Sequence, residues 1–267
     1  MVTDYPHFNK INGVETLVVN SEPYLAFAGE IHNSSASSLE YMNSNIWSKL
    51  EELNLNTVLL PIYWEMIESI EGQYQFEHVA NIIDQARENN KKVILLWFGL
   101  WKNGMSTYVP EWMKKNREDY PFIESKYGEQ IYSISPMSGK AVEKNSLVFG
   151  ELMAFIKSYD SSEQTVLMVQ IENEIGSLGT DFDYSSNQVE LLDSMVPADV
   201  ESFSNQTGTW NQVFRENSKE YLMAYYYAKA IEKNAALGHE KHPIPYFVNA
   251  WLEKKRHEQV NILLVVQ

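Results

Sequence analysis

At 267 residues the chain is long enough for one large domain with a substantial core, or for two small ones. A formal net charge of −15 repels phosphate backbones and anionic lipid, which argues against nucleic acid and membrane as partners. With no cysteine there is no disulfide, no thiolate chemistry and no cysteine-based metal site. Hydrophobic residues at 44% against 21% charged fit a folded globular chain, and no apolar run approaches the roughly 18 residues of a membrane-spanning helix. The start, Met1-Val2-Thr3-Asp4-Tyr5-Pro6, has no basic stretch followed by an apolar one. No signal peptide is therefore visible; the chain as written reads as cytoplasmic, or as periplasmic or secreted if a signal was removed.

The predicted elements begin with two short strands, 14–20 and 24–29, around a Ser-Glu-Pro turn. The second runs into Gly29-Glu30-Ile31-His32-Asn33, a polar cluster at a strand's C-terminal end. Ser37 and Glu40 form a capping-box pattern ahead of an amphipathic helix carrying Leu39, Met42, Ile46, Leu50 and Leu53. A buried strand over 56–61 leads to Ile62-Tyr63-Trp64-Glu65, and a helix follows over 76–90. The strand over 92–98 closes on Gly99-Leu100-Trp101-Lys102-Asn103-Gly104, with a long loop to about residue 141 and a helix over about 142–159.

The next strand, Val166-Leu167-Met168-Val169-Gln170-Ile171, is apolar and β-branched, the pattern of a strand buried on both faces. It ends on Glu172-Asn173-Glu174. Burying unpartnered charge costs several kcal/mol, so this end is expected to open onto a polar cleft. An acidic loop over 177–210, a helix over about 211–236 stopped at Gly238, and a strand over 245–250 complete the series.

Repeated strand–helix alternation means parallel strands in an α/β fold. The expected strands lie near 25–29, 56–61, 92–98, 165–171 and 245–250, arranged as an incomplete (β/α)8 barrel with its chemistry at the C-terminal rim. Five units use up about 250 residues, whereas a closed barrel has eight. The residues from Glu253 change character, a charge run followed by the apolar Val260–Val266. Residues 1–252 are thus expected to form a partial barrel domain and 253–267 an atypical tail, the chain stopping mid-barrel.

Three ordered motifs resemble a known family. Trp64-Glu65 with Glu71-Gly72-Gln73-Tyr74-Gln75-Phe76 is similar to the segment after the second strand of β-galactosidases of glycoside hydrolase families 35 and 42. Val109-Pro110-Glu111-Trp112 with Tyr120-Pro121 is similar to the loop after the third strand in family 42, and Gln170-Ile171-Glu172-Asn173-Glu174 to the fourth-strand motif. The resemblance implies a retaining glycosidase built on a (β/α)8 barrel, with Glu174 as acid/base and Asn173 binding the sugar 2-hydroxyl. It implies a nucleophile on the seventh strand, beyond the end of this chain, so that the chain alone is inactive. Ile175 stands where the family has tyrosine, and the family-35 Cys-Ala-Glu contact is missing after the third strand, so the sugar's identity does not carry over.

Retaining glycosidases need two carboxyl groups about 5–5.5 Å apart. Glu172 and Glu174, neighbours on one strand, do not make such a couple; Glu172 reads as an ion-paired barrel-interior residue. The other candidate contacts to a β-galactoside-type carbohydrate are strand-end residues: Glu30, Asn33, Tyr63, Trp64, Trp101, Asn103 and Asn249. Tyr63, Trp64 and Trp101 are the candidate sugar platform, with core packing the competing role. Glu30 and Glu65 read more readily as hydrogen-bonding or ion-pair residues than as a nucleophile. His239 and His242 lack metalloprotease spacing and read as a solvated connection; no metal site or cofactor is expected. The competing function is a carbohydrate-binding or degenerate barrel without hydrolysis.

Overall fold

The computed structural model describes residues 5–104 and 106–250. The chain opens with three antiparallel strands, β1 (His7–Ile11), β2 (Val14–Val19) and β3 (Glu22–Pro23). Asn12 and Gly13, both at positive φ (51° and 85°), make the tight turn between β1 and β2, the geometry that matches strand twist. Then come β4 (Ala28–Glu30), α1 (Leu39–Tyr41), a π-helical turn (Met42–Ile46) and α2 (Trp47–Glu52). After β5 (Thr57–Tyr63) follow α3 (Trp64–Ile67), α4 (Glu77–Glu88) and β6 (Lys92–Lys102). An excursion of α5 (Glu111–Lys115), β7 (Phe122–Glu124) and β8 (Gln130–Ile134) precedes α6 (Gly139–Asp160) and β9 (Val166–Asn173). The chain continues through α7 (Ser186–Glu190), α8 (Ala198–Ser204), α9 (Trp210–Phe214), α10 (Ser218–Lys241) and β10 (Tyr246–Phe247).

Five of these strands form one sheet in the order β10-β9-β6-β5-β4, every pair parallel. Spatial order therefore follows chain order, which is what successive right-handed crossover units produce. β5, β6 and β9 are buried almost throughout, as their uninterrupted apolar sequences require. Val79, Ile82, Ile83 and Ala86 of α4 and Phe149, Leu152, Met153 and Ile156 of α6 cover them in the main core. A smaller cluster joins Leu17 and Val19 of β2 to Ile94 and Leu167, bordered by Leu59, Met168 and Phe247, so the β1–β3 sheet packs under the large one. Asn20 fixes that placement, its backbone N–H donating to Gln164 Oε1 at 2.7 Å.

Several elements differ from the sequence expectation for identifiable reasons. The first sheet strand covers only 28–30, because residues 25–27 are held by a side chain instead. Asn56 Nδ2 donates to Leu25 O (2.8 Å) and its Oδ1 accepts from Phe27 N (2.8 Å). The cap of α1 is Ser38, which accepts from Tyr41 N, while the Ser37 hydroxyl donates back to Ser34 O. The expected loop over 104–141 contains α5 and the β7–β8 hairpin, and the acidic loop over 177–210 contains α7 and α8. The helix expected over 211–236 is broken at Arg215 (φ 54°), and α10 does not stop at Gly238. A Cβ on Gly238 would lie 2.5 Å from the Phe149 ring, so that glycine serves the close approach of α10 to α6 rather than a C-cap. The expected boundary at 252/253 and the tail lie outside the described residues.

His242 is buried, not part of a solvated connection. Its N–H donates to Gly238 O (2.8 Å), its carbonyl accepts from the Tyr246 hydroxyl (2.7 Å), and its ring meets Tyr5 edge-on. Burial pushes the imidazole down to about 4, with the charge of Lys157 adding to the effect and Asp160 opposing it. A depressed base takes up its proton in the unfolded chain first, between its ordinary value near 6.5 and about 4. The stability contributed by neutral His242 is thus full above pH 6.5 and lost as pH falls toward 4. Urea unfolding at pH 7 and pH 5 should show a smaller acid loss in His242→Phe than in the parent; equal losses would exclude His242 as the source.

Candidate active site

After a one-residue shift between Val93 and Ile94, the β6–β9 pairing is regular from Ile94↔Met168 to Trp97↔Ile171 and resumes at Lys102↔Asn173. Four residues of β6, 98–101, therefore face one residue of β9, Glu172. A bulge of that size leaves backbone N–H groups without strand partners. The Glu172 carboxylate fills the gap, accepting from the N–H of Gly99 (3.3 Å), Leu100 (3.1 Å) and Trp101 (2.9 Å) and from Asn145 Nδ2 of α6 (2.7 Å). Glycine at 99 is required by this approach: a Cβ there would stand 2.7 Å from Glu172 Oε1. Glu172 is fully buried and its partners are neutral, so it is hydrogen-bonded rather than ion-paired. Burial pushes its carboxyl up to about 7, against the pull of the donors, Trp101 N–H foremost.

Beyond the bulge the two strand ends meet again. Asn103 N–H donates to Asn173 O (3.0 Å), and Asn173 Nδ2 donates to Asn103 Oδ1 (2.9 Å). Asn173 Oδ1 accepts from Gln170 Nε2 and from Asn249 Nδ2, both at 3.1 Å. Asn249 Oδ1 in turn accepts the backbone N–H of Glu174 (2.7 Å). Asn103, Asn173, Asn249 and Glu174 thus form one connected rim cluster spanning β6, β9 and the end of β10. Glu172 and Glu174 both have left-handed backbones (φ 58° and 47°). For non-glycine residues this conformation costs on the order of 1–3 kcal/mol each and persists only where surrounding bonds impose it.

Lys102 belongs to the same cluster, and sequence reading missed it. Its residue is 5% exposed, its Nζ donates to Asn103 Oδ1 (2.7 Å), and the ammonium lies 4.7 Å from the Phe98 ring centroid. Burial lowers its pKa, while the charges of Glu174 and Glu30 raise it. The available signal was the polar Lys102-Asn103 ending an otherwise apolar strand, the same signature that marked Glu172-Asn173-Glu174.

The other expected site residues are not all brought to this cluster. Glu30 ends β4 and is exposed. Asn33 is exposed beside a hollow of about 650 Å³ lined by His32, Ser34, Ser35, Ser38 and Tyr41 as well, and its carbonyl accepts the Tyr63 hydroxyl (2.6 Å). Tyr63 is buried against Phe98 and Tyr108, and burial raises its hydroxyl pKa. Trp64 and Trp101 are fully buried, with indole N–H groups donating to Glu68 Oε2 (2.8 Å) and Ile134 O (2.9 Å). Neither ring offers a face to a ligand, so the sugar-platform role does not fit their placement. Glu65 is ion-paired to Lys114 (3.0 Å) in an exposed pair of the kind worth under about 1 kcal/mol.

The β-galactosidase profile of glycoside hydrolase family 42 matches residues 38–221, from α1 through Asn103, Asn173 and Glu174 into α10. The chain belongs to this family. Among solved structures, the β-galactosidase of Bacillus circulans sp. alkalophilus is similar at a TM-score of 0.63 and 14% identity, over 84% of this chain and 36% of that one. That of Rahnella sp. R3 gives 0.61 and 17%, over 84% and 36%. That of the Antarctic haloarchaeon Halorubrum lacusprofundi gives 0.57 and 15%, over 83% and 35%. At such identities the likeness is one of fold, and the family 42 chain spans about a third of the length of these proteins. No curated protein matches it. Among its described residues no helix is long and apolar enough to cross a membrane.

In this family 42 chain, the core role of Trp101 has a direct test. Trp101→Ala should lower unfolding free energy by about 3–5 kcal/mol, the usual effect of deleting a buried aromatic. Chemical denaturation measures it, and a loss under about 1 kcal/mol would show that the ring is not holding the core.

Proposed function

We propose that this chain supplies the first five strand–helix units of a (β/α)8 catalytic barrel in a retaining, β-galactosidase-type glycoside hydrolase. Glu174 is its acid/base and Asn173 the amide that meets the sugar. The supporting observation is the rim cluster: Asn173 and Glu174 end the fourth of five parallel strands, held by Asn103, Gln170 and Asn249. The substrate is a carbohydrate of β-galactoside type. In this reading Glu174 protonates the leaving oxygen, then deprotonates the water that releases the sugar from a covalent intermediate. Asn173 keeps Nδ2 toward Asn103 and Oδ1 toward Asn249, so its orientation is fixed before a sugar arrives.

The reaction also needs a nucleophile about 5–5.5 Å from the acid. Glu65 is engaged by Lys114. Glu30 is exposed at the end of β4, where its charge, like that of Glu174, acts on Lys102. The opposing carboxylate is assigned to a later strand of the barrel. The acid assignment is tested by the leaving-group dependence of Glu174→Gln in a protein that continues this segment through the remaining strands.

A further inference from the structure

We propose that Glu172 is the positioning residue of the Asn173–Glu174 pair: its carboxylate holds the β6 bulge in the shape that brings Asn103 onto Asn173. The inference rests on the reading of Glu174 as the reacting carboxylate only for its catalytic consequence. Its physical content is a link between two strand ends. Residues 98–101 must loop outward for Lys102 to pair again with Asn173, and the loop exposes three backbone donors to a dry interior. A side chain from β9 can satisfy all three only with two acceptor oxygens and enough reach, which glutamate has and aspartate, one methylene shorter, lacks.

The backbone of Glu172 is left-handed, which turns the side chain across to β6 and separates it from that of Glu174. This separation explains how two carboxylates two residues apart serve different purposes. Glu172 reaches Asn173 by two routes. One runs through Gly99, Leu100 and Trp101 to Asn103, whose N–H and Oδ1 both bond to Asn173. The other starts from the Glu172 backbone and not from its carboxylate: the Glu172 carbonyl accepts from Gln170 Nε2 (2.8 Å), which also donates to Asn173 Oδ1 (3.1 Å). Asn145 steadies the carboxylate from α6 and is itself held by the Trp97 indole N–H (3.0 Å).

The competing role for Glu172 is simple core filling, and the two differ in how far a substitution is felt. Glu172→Gln keeps the shape but turns an amide NH2 toward backbone N–H groups. In the 267-residue chain with 15N-asparagine, this variant should shift the side-chain amide signals of Asn103 and Asn173. Hydrogen exchange at Leu100 and Trp101 should quicken at least 10-fold, while Val58–Leu60 of β5 keep their protection. A shift confined to Asn145, with Asn103 and Asn173 unmoved, overturns the proposal. Should the variant fail to fold, Gly99→Ala presses on the same carboxylate from the β6 side and should move the Asn173 signal; an unmoved Asn173 there overturns it equally. No sugar enters these measurements, so they stand or fall independently of the hydrolase reading.

Discussion

Glu174→Gln is expected to slow turnover of a β-galactoside with a poor leaving group by roughly 10²–10⁴-fold, the usual contribution of a positioned general acid. At about 1.36 kcal/mol per decade this is roughly 3–5 kcal/mol of transition-state stabilisation. A nitrophenyl galactoside should lose far less in its first step, because nitrophenolate leaves without being protonated. The rim cluster makes the comparison clean. Glu174 is held through its backbone N–H by Asn249, so amide for carboxyl at its tip leaves the anchoring bond in place. The measurement is kcat/KM on both substrates, in a protein that continues this segment through the rest of its barrel. Equal losses on the two substrates would remove Glu174 from the acid role.

The 267-residue chain by itself should release no nitrophenol from nitrophenyl β-galactoside. Transfer through a covalent intermediate needs a carboxylate facing Glu174; of the two rim candidates, Glu65 is ion-paired to Lys114 and Glu30 is exposed at the end of β4. Solubility should suffer too. Leu25 and Phe27, just ahead of the edge strand β4, are 70% and 57% exposed, and an uncovered apolar edge invites association between chains. Size-exclusion chromatography with an activity assay on the same fractions tests both expectations. A monomeric preparation with turnover that Glu174→Gln abolishes would overturn the first and make Glu30 or Glu65 the missing partner.

The parallel strands were legible wherever burial on both faces wrote an unbroken apolar run, as in β5, β6 and β9. The antiparallel β1 was not, because His7-Phe8-Asn9-Lys10-Ile11 is largely exposed and carries no such run. The Asn173–Glu174 pair could be read because polar residues closing an apolar strand need an explanation. Lys102 and Asn103 carried that signal too, but a lysine at a strand end is so often solvated that its burial came only with the fold. Tryptophan type misled: Trp64 and Trp101 lie beside rim residues in sequence, yet in space each turns into the core. Glu172 shows the remaining limit. Its type and place were clear, but a partner set made of three backbone N–H groups has no sequence signature at all.

Chain order and strand order coincide in the large sheet, and this sets a timetable for assembly during synthesis. Each strand docks on the one translated before it, so the nascent sheet grows from β4 toward β10. β5 and β6 start 35 residues apart, whereas β9 starts 74 residues after β6. At roughly 5–20 residues per second, β6 waits about 4–15 s for its partner once it has left the ribosome. Closing a short loop takes well under a microsecond and pairing a hairpin about 1–10 µs, so translation and not diffusion limits that step. The β7–β8 hairpin is made within the interval, and its Ile134 carbonyl accepts the Trp101 indole N–H. The large excursion between β6 and β9 thus delays the sheet and also brings a partner for the Trp101 side chain at the waiting strand's outer end.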